Sequence, residues 1–420
     1  MTLDHASPEA RDTVTGTPAL IATFPFSRAI PLETLGGVLG RKSLRPHEID
    51  DREISSQHAL LECRGATVDL TCLGSRNGTF IDGRRLAPKE CVTLIDGVLV
   101  RIGRSLFVYR DRFIGALSPS EPLGDLIAPF GLRALARALT ALTLRPTSFV
   151  LLEGETGTGK ELLARHVVER LGRKTPYAAV NVASVAAGVF ESQFFGHVAG
   201  AFSDARTASP GLLTAHEGGA ILLDELGSLP LSLQSKLLRL LDQREVLPVG
   251  ATRPHCVDVL LVAATNGGLE KAVTEGRFRE DLLARLNIAR LDLPPLRERA
   301  EDIYAIAQQV AVRHKVDLDP AQVEVEALER MLLHPWPRNV RELESTLREA
   351  ATHDPRPGLR HWAIQRILGA TTQSRSGLLQ DELVAEALAL EGDNETAAAR
   401  RLGVTRGKLR RYLSKKEIVT

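Results

Sequence analysis

The stretch Ser148–Glu161, SFVLLEGETGTGKE, decides how this chain is read. Phe149, Val150, Leu151 and Leu152 form a short apolar run suited to a fully buried strand. It breaks into G-x-x-x-x-G-K, with Gly154, Gly159 and Lys160 at the fixed positions and Gly157 between them. Glycines let the backbone curl until successive N–H groups point inward at a phosphate, with a helix N-terminus behind them. Lys160 adds a compact cation for the β- and γ-phosphates. The amphipathic run Leu162–Leu171 supplies the helix that this context requires. Gly154, Glu155, Thr156, Gly157, Thr158, Gly159, Lys160 and Glu161 are therefore candidate nucleotide-binding residues, with ATP and Mg²⁺ as the expected cofactors. Glu161 stands where Ser or Thr usually touches the metal, so its coordination leans on other residues.

Downstream, helical and strand-like segments alternate, which predicts a parallel sheet covered by helices. Ala220–Leu223 is a second apolar strand that runs straight into Asp224 and Glu225. An acidic pair at the end of a buried strand is costly unless it has a task. Beside a phosphate loop, Asp224 would hold Mg²⁺ through water, and Glu225 would polarise the attacking water. A third strand, Val257–Ala264, ends at Thr265 and Asn266, where Asn266 would sense the γ-phosphate.

This central region, residues 124–355, resembles the AAA+ domain of sigma-54-dependent bacterial transcription activators, an α/β P-loop ATPase with a helical lid. The resemblance implies roles for further residues. Asn181, in AAVNVAS, matches the family's switch residue, which holds the catalytic glutamate. Arg279 and Arg285, in FREDLLARLN, match arginines that reach into a neighbouring subunit's ATP site. A trans arginine stabilises charge on the transferring phosphoryl group and ties hydrolysis to a ring, here expected to be a hexamer. LPPLRER (Leu293–Arg299) marks the passage into the lid. Arg341, in WPRNVRELE, matches the second sensor, although Arg338 replaces the usual glycine. Gly200, Ala201, Phe202, Ser203, Asp204 and Ala205 read GAFSDA where the family typically has GAFTGA, the loop tip that touches sigma-54. Ser203 loses the methyl of threonine, and Asp204 adds a charge and removes a glycine's freedom. These two changes keep open the alternative of a DNA-binding remodelling ATPase that contacts no sigma factor.

Ahead of the ATPase, from about residue 18 to 112, short apolar runs alternate with Gly, Asp and Asn turns, which predicts an all-β sandwich. Asn77-Gly78 and Asp82-Gly83 flank Thr79–Ile81, a strong short-range hairpin signal. Gly40-Arg41, Ser55-x-x-His58 and Asn77-Gly78-Thr79 together resemble the forkhead-associated (FHA) domain, a phosphothreonine-binding module. By that resemblance Arg41 and Ser55 grip the phosphate, Arg76 assists and Asn77 bonds the ligand backbone. His58 would brace the loops from within. Residues 113–123 lie in a stretch holding Gly115, Ser118, Pro119, Ser120 and Pro122, the composition of a linker.

Residues 376–420 read as short helices around Gly403, with Thr405 as an N-cap. From Arg400 to Lys416 there are basic residues and no acid, a local footprint that the whole-chain net charge of +1 hides. NETAAARRLGVTRGKLRRYL resembles the Fis-type helix-turn-helix, which implies an all-α DNA-binding module that reads upstream DNA. Thr405, Arg406, Lys408, Arg410 and Arg411 are its candidate DNA-binding residues, and Leu379–Leu390 is a candidate dimerisation helix.

The length, 420 residues, suits such a multidomain chain. Asp4, Glu9 and Asp12, with no apolar core segment, argue against a signal peptide, and no run has the length of a transmembrane helix, so a soluble cytoplasmic protein without a membrane partner is expected. Cys63, Cys72, Cys91 and Cys256 lack C-x-x-C spacing and are expected to be small buried hydrophobes. The order of parts implies a DNA-tethered ring that acts on sigma-54 RNA polymerase holoenzyme, under the control of a phosphothreonine-containing protein or a Ser/Thr kinase.

Overall fold

The computed structural model describes residues 14–65, 67–144, 147–173, 176–203, 205–314, 316, 318–354 and 358–369, together with Val384, Leu388, Leu409, Arg410 and Leu413. Strands β1 (Val14–Phe24), β2 (Arg28–Pro31) and β3 (Val38–Leu39) open the chain, followed by the single turn α1 (Arg41–Leu44). Then come β4 (Ala59–Arg64), β5 (Thr67–Cys72), β6 (Thr79–Ile81), β7 (Arg84–Arg85), β8 (Cys91–Leu94), β9 (Leu99–Ile102) and β10 (Ser105–Gly115). They form two antiparallel sheets, β2-β1-β10-β9-β6-β7 and β3-β4-β5-β8. Strand β5 shows why they face each other: Val68, Leu70 and Cys72 are buried and the residues between them are not, the period of a one-sided strand. These side chains meet Leu20, Val100 and Phe107 of the other sheet in one core.

The stretch read as a linker is built into this fold. Strand β10 continues through Phe113 and Ile114 to pair with Thr17 and Thr15 of β1. Beyond it the Arg133 guanidinium donates to the carbonyls of Ala116 (2.6 Å) and Ser118 (2.5 Å) and to Ser120 Oγ (2.8 Å), and lies over the rings of Phe113 and Phe130. Pro, Gly and Ser mark irregular backbone; one arginine supplies the packing that composition does not reveal.

Helix α2 (Arg133–Thr143) leads into β11 (Phe149–Glu153), α3 (Lys160–Arg170), β12 (Tyr177–Asn181), α4 (Ala187–Phe195), α5 (Gly211–Ala215), β13 (Ala220–Asp224) and α6 (Leu231–Gln243). A small ribbon, β14 (Glu245–Val246) with β15 (His255–Cys256), precedes β16 (Leu260–Thr265), α7 (Leu269–Thr274), α8 (Glu280–Leu286) and β17 (Arg290–Asp292). The central sheet runs β12-β13-β16-β11-β17 and is wholly parallel. Its three inner strands, β11, β13 and β16, are apolar on both faces, as a sheet covered twice requires. Phe149 and Leu151 of β11 point into one core, while Val150 and Leu152 point into the other.

Four helices close the described ATPase region: α9 (Ile303–His314), α10 (Val325–Leu333), α11 (Asn339–His353) and α12 (His361–Leu368). Trp336, fully buried, centres their core with Tyr304, Met331, Leu343 and Ile364. Phe24, Leu99, Leu106 and Val108 of the β-sandwich belong to that same core, so the first domain is docked on the lid.

Of the cysteines only Cys72 is buried; Cys63, Cys91 and Cys256 are exposed, and all four are free thiols. The expectation of four buried thiols fails because the other three fall at outward positions of β4, β8 and the ribbon. No described helix is long and apolar enough to cross a membrane. Most of the helix-turn-helix, including Thr405, Arg406, Lys408 and Arg411, lies outside the described residues, and so does Asp204. Arg410 is helical and exposed.

Candidate functional site

The turn after β11 is forced by its neighbours. Gly157 has φ +79°, and a Cβ there would lie 2.2 Å from the Arg338 carbonyl oxygen. A Cβ on Gly154 would meet the Leu293 carbonyl at 2.7 Å. Only glycine allows both approaches. Thr158, fully buried, donates its hydroxyl to the Glu155 carbonyl at 2.8 Å. Lys160 Nζ is folded inward and donates to the carbonyls of Gly154 (2.7 Å) and Glu155 (3.1 Å) and to Asn266 Oδ1 (2.7 Å). Burial lowers its pKa, opposed by the nearby Asp224 and Glu225 carboxylates. The loop thus holds a desolvated cation, its three donors committed to protein oxygens, facing two acids.

Parallel pairing places Asn181 of β12 beside Asp224 of β13. Asn181 Oδ1 caps its own following turn through the Ala183 N–H at 2.9 Å. Glu225 adopts a left-handed backbone (φ 57°), with its N–H on Asp224 Oδ1. Glu161 is turned to the surface, where it pairs with Arg165 at 3.0 Å. Arg341 lies at the start of α11 with its Cβ against Gly157, close enough for its charge to lower the pKa of Lys160. Arg279 and Arg285 bond elsewhere. Arg279 forks onto Asp281 (3.0 and 2.6 Å), while Arg285 pairs with Asp242 (3.1 Å) and donates to the Leu241 carbonyl (3.3 Å).

Arg297, Asn339 and Arg299 reach the loop from outside it and had no binding role assigned in the sequence. Glu155 receives a two-pronged bond from Arg297 (2.8 and 2.6 Å), which lowers its pKa. Asn339, fully buried with φ 53°, accepts from the Leu296 N–H (2.7 Å) and donates to Glu155 (3.2 Å) and the Thr156 carbonyl (3.0 Å). Arg299 donates to the Thr158 carbonyl at 3.1 Å. Beside Thr158 and Gly159 a small cleft of about 60 Å³ opens between Leu126, Ile127 and Leu162 on the sheet side and Ile306, Val310 and Val340 of the lid. Its walls are mostly apolar. Only the apolar residues of α3 were visible as helix periodicity; nothing in the string links positions so far apart.

The loop at Gly200–Ala205 is closed by a hydrogen bond from the Gly200 N–H to the Ala205 carbonyl (2.8 Å). Phe202 remains 44 % exposed, one face on the His197 ring at a centroid distance of 5.0 Å. His197 is held at both nitrogens, by Ser192 Oγ (2.8 Å) and the Thr207 carbonyl (3.0 Å).

In the β-sandwich, Arg41, Ser55, Arg76 and Asn77 come together on loops at one end. A Cβ on Gly40 would lie 2.2 Å from the Ser56 carbonyl oxygen. The Arg41 N–H donates to the Ser55 carbonyl (3.0 Å), and its Nε donates to the Ile54 carbonyl (2.9 Å). Asn77 Nδ2 donates to the Glu53 carbonyl (2.8 Å). His58 is fully buried; its Nδ1 accepts from the Ser55 N–H (3.2 Å), and its Nε2 faces the Gly78 carbonyl (2.9 Å) and Ser75 Oγ (2.7 Å). Arg76 and Asn77 are exposed.

Three family models match this chain: the FHA domain over residues 37–103, the sigma-54 interaction domain over 132–292 and the AAA+ ATPase lid domain over 297–376. The chain therefore joins an FHA domain to sigma-54 interaction and AAA+ lid domains, and the relatives it matches include sigma-54-dependent regulators. Its relatives include the DNA-binding transcriptional regulator NtrC of Rhizobium meliloti, 46 % identical over 219 residues, 51 % of this chain and 44 % of that one. The sigma54-dependent transcriptional activator SfnR of Pseudomonas putida is 42 % identical over 201 residues, 47 % of this chain and 55 % of its own. The chain spans about half the length of the curated relatives it matches. Among solved structures, NtrX from Brucella abortus superposes with a TM-score of 0.50 at 26 % identity, covering 69 % of this chain and 68 % of that one.

Proposed function

We propose that this regulator hydrolyses ATP and uses the cycle to press its Gly200–Ala205 loop against sigma-54, remodelling the closed promoter complex of RNA polymerase. The observation that carries this reading is an aromatic, Phe202, left 44 % exposed at a small-residue loop tip within the region that matches the sigma-54 interaction domain. A bare aromatic on a loop contributes little to stability, and its value lies in contact.

In this reading Lys160 and Arg341 take the β- and γ-phosphates, the cleft between Leu126 and Val310 takes the base, and Asn266 senses the γ-phosphate. Glu225 holds the proton-accepting position for the attacking water, with Asn181 on the adjacent strand end. The residues fit a Mg²⁺ ion carried largely by phosphates and water. Asp224 is the one carboxylate of the resemblance aimed there, Glu161 is committed to Arg165, and no described cluster of three or more His, Cys, Asp or Glu could hold a metal by itself. Bound Mg²⁺ would neutralise charge on the transferred phosphoryl group. Arg279, paired with the exposed Asp281, and Arg285, paired with the exposed Asp242 and the Leu241 carbonyl, would exchange those partners for a neighbouring subunit's nucleotide in a hexameric ring. The basic C-terminal residues hold upstream DNA, and Leu379–Leu390 supplies the dimer contact. The FHA loops read a phosphothreonine on a kinase or its target.

Capture of purified sigma-54 by the full chain, with and without an ATP transition-state mimic, tests this. Capture that depends on the mimic and disappears in Phe202→Ala is expected. ATP hydrolysis without any capture would remove sigma-54 from the proposal and leave a DNA-binding remodelling ATPase with another client, the reading that Ser203 and Asp204 favour.

A further inference from the structure

We infer that the FHA domain is a resident brace of the ATPase lid, and that the segment Asp51–Ser55 couples its phosphothreonine site to that lid. The second half of this inference rests on reading Arg41, Ser55 and Asn77 as a phosphothreonine site.

The docking face is made by arginines of β9, β10 and the turn between them. Arg101, 7 % exposed, stacks on Phe80 at 3.6 Å and pairs with Glu326 (3.2 Å) and Glu329 (3.1 Å) of α10. Burial raises the pKa of Glu329, and Arg101 opposes the rise. Arg110 donates to the Glu298 carbonyl (2.9 Å) and to the Glu301 carboxylate. Glu301 and the fully buried Asp302 sit side by side at the hinge between sheet and lid, with Arg299, which also holds the Thr158 carbonyl of the phosphate loop. Without Arg110, two buried acids would share one arginine, the kind of unbalanced cluster that folded chains avoid. Phe24 meets Tyr304 edge-on at 5.1 Å and seals the contact with apolar surface. With the FHA domain in place Glu301, Glu326 and Glu329 of the lid are each paired with one of its arginines, so the domain is a component of the lid.

The link to the phosphate-catching loops runs through Arg104. Its guanidinium donates to the carbonyls of Pro320 and Val323, both at 3.0 Å, in the lid loop that enters α10. Its own N–H donates to Asp51 Oδ2 (2.7 Å), which also accepts from Ser105 Oγ (3.0 Å). Gly103 is obligatory there, because a Cβ would stand 2.7 Å from that same oxygen. Asp51 Oδ1 in turn caps the Glu53 N–H (2.8 Å). The next carbonyls along, those of Glu53, Ile54 and Ser55, are the ones held by Asn77 and Arg41. One five-residue segment therefore has its first residue fixed to the lid-facing turn, its third and fourth bound by the ligand-reading side chains of Asn77 and Arg41, and its last by the Arg41 main-chain N–H. A phosphate or peptide backbone that re-aims Arg41 or Asn77 alters the bonds that position this segment. Val323 lies in the same core as Leu343 of α11, the helix that brings Asn339 and Arg341 to the phosphate loop.

Coupling between two binding sites is reciprocal, so nucleotide must change phosphothreonine affinity by the factor through which phosphothreonine changes nucleotide affinity. The test uses the full chain and a degenerate phosphothreonine peptide pool, with the unphosphorylated pool as control. Peptide affinity is read by fluorescence anisotropy with and without a non-hydrolysable ATP analogue. The wild type is expected to show a nucleotide-dependent change of about 5-fold or more. Arg104→Ala, and Arg104→Met, which keeps the aliphatic stem but has no donor for the two carbonyls, are expected to bind the peptide and lose that dependence. Equal affinity in both nucleotide states of the wild type, or undiminished dependence in both variants, would overturn the coupling. If no phosphorylated peptide binds, the phosphothreonine reading itself fails. Amide exchange at residues 51–55 then judges the brace: a nucleotide-induced change in the wild type that both variants lose supports it, and no change overturns it.

Discussion

The two proposed phosphate-catching sites in this chain are built on opposite plans. In the ATPase the catching cation is buried: Lys160, 8 % exposed, is wrapped by a curled backbone and held on two carbonyls and an asparagine. In the FHA domain the cations Arg41 and Arg76 are exposed, and backbone bonds and a buried histidine fix the loops beneath them. A buried lysine has already lost its water, so each interaction it makes with a nucleotide is strengthened by the low-dielectric surroundings. An exposed arginine must shed water to bind, which suits a site that has to release its ligand when a phosphate is removed. One plan serves turnover; the other serves signalling.

The sharpest way to break this comparison is Lys160→Ala. ATP turnover measured by phosphate release should fall about 10²- to 10³-fold, the usual loss on removing one preorganised donor. Phosphothreonine binding should remain. The complementary change, Arg41→Ala, removes charge-assisted bonds worth about 1.5–3 kcal/mol, so phosphopeptide affinity should drop by roughly 10- to 150-fold with ATP binding retained. If the exposed arginine proved neutral while Ser55→Ala abolished binding, the contrast between the two plans would be wrong. Asn339→Ala probes a middle case, since it strips partners from the Leu296 N–H and the Thr156 carbonyl. Leaving buried polar groups unpaired costs about 1–3 kcal/mol, to be read as weaker ATP analogue binding and a lower melting temperature of the full chain.

The two sites were unequally legible. The phosphate loop is contiguous, so strand, glycines and lysine could be read from fourteen residues and the helix from the ten that follow, and Asp224-Glu225 announced themselves by standing at the end of an apolar strand. Asn339 and Arg297 reach the loop from across the chain, and no local pattern connects either to Glu155. The FHA residues were legible only as an ordered set, because each one alone resembles an ordinary turn or surface charge. The docking of the sandwich on the lid was invisible for a related reason. Arg101, Arg104 and Arg110 occupy strand and turn positions where charges usually face water, and only the fold brings Glu301, Glu326 and Glu329 opposite them. Composition also misled at residues 113–123, where a stretch rich in Gly, Pro and Ser is packed by Arg133.

The smallest expected effect isolates the support beneath the exposed arginine. Burial lowers the pKa of His58, opposed by its bond to the Gly78 carbonyl and by Asp51. Because Nδ1 accepts from the Ser55 N–H, the neutral ring carries its proton on Nε2, and protonating Nδ1 would break that bond. The folded pKa lies below the ordinary 6.5, so the unfolded chain takes up the proton first as pH falls. The stabilisation is fully present above about pH 6.5 and is lost progressively below it, by at most about 1.4 kcal/mol per pH unit from this one group. His47 and His166, also lowered by burial, act in the same direction, so the absolute slope is shared. The diagnostic quantity is the difference from His58→Gln, which can still donate to the Gly78 carbonyl but cannot titrate. Melting of the FHA region between pH 8 and 5, followed by amide exchange of β4 and β6, should show a steeper loss of protection in the wild type than in the variant. Equal slopes would mean that the loops under Arg41 and Asn77 are held by backbone alone, and the two phosphate sites would then differ less than their burial suggests.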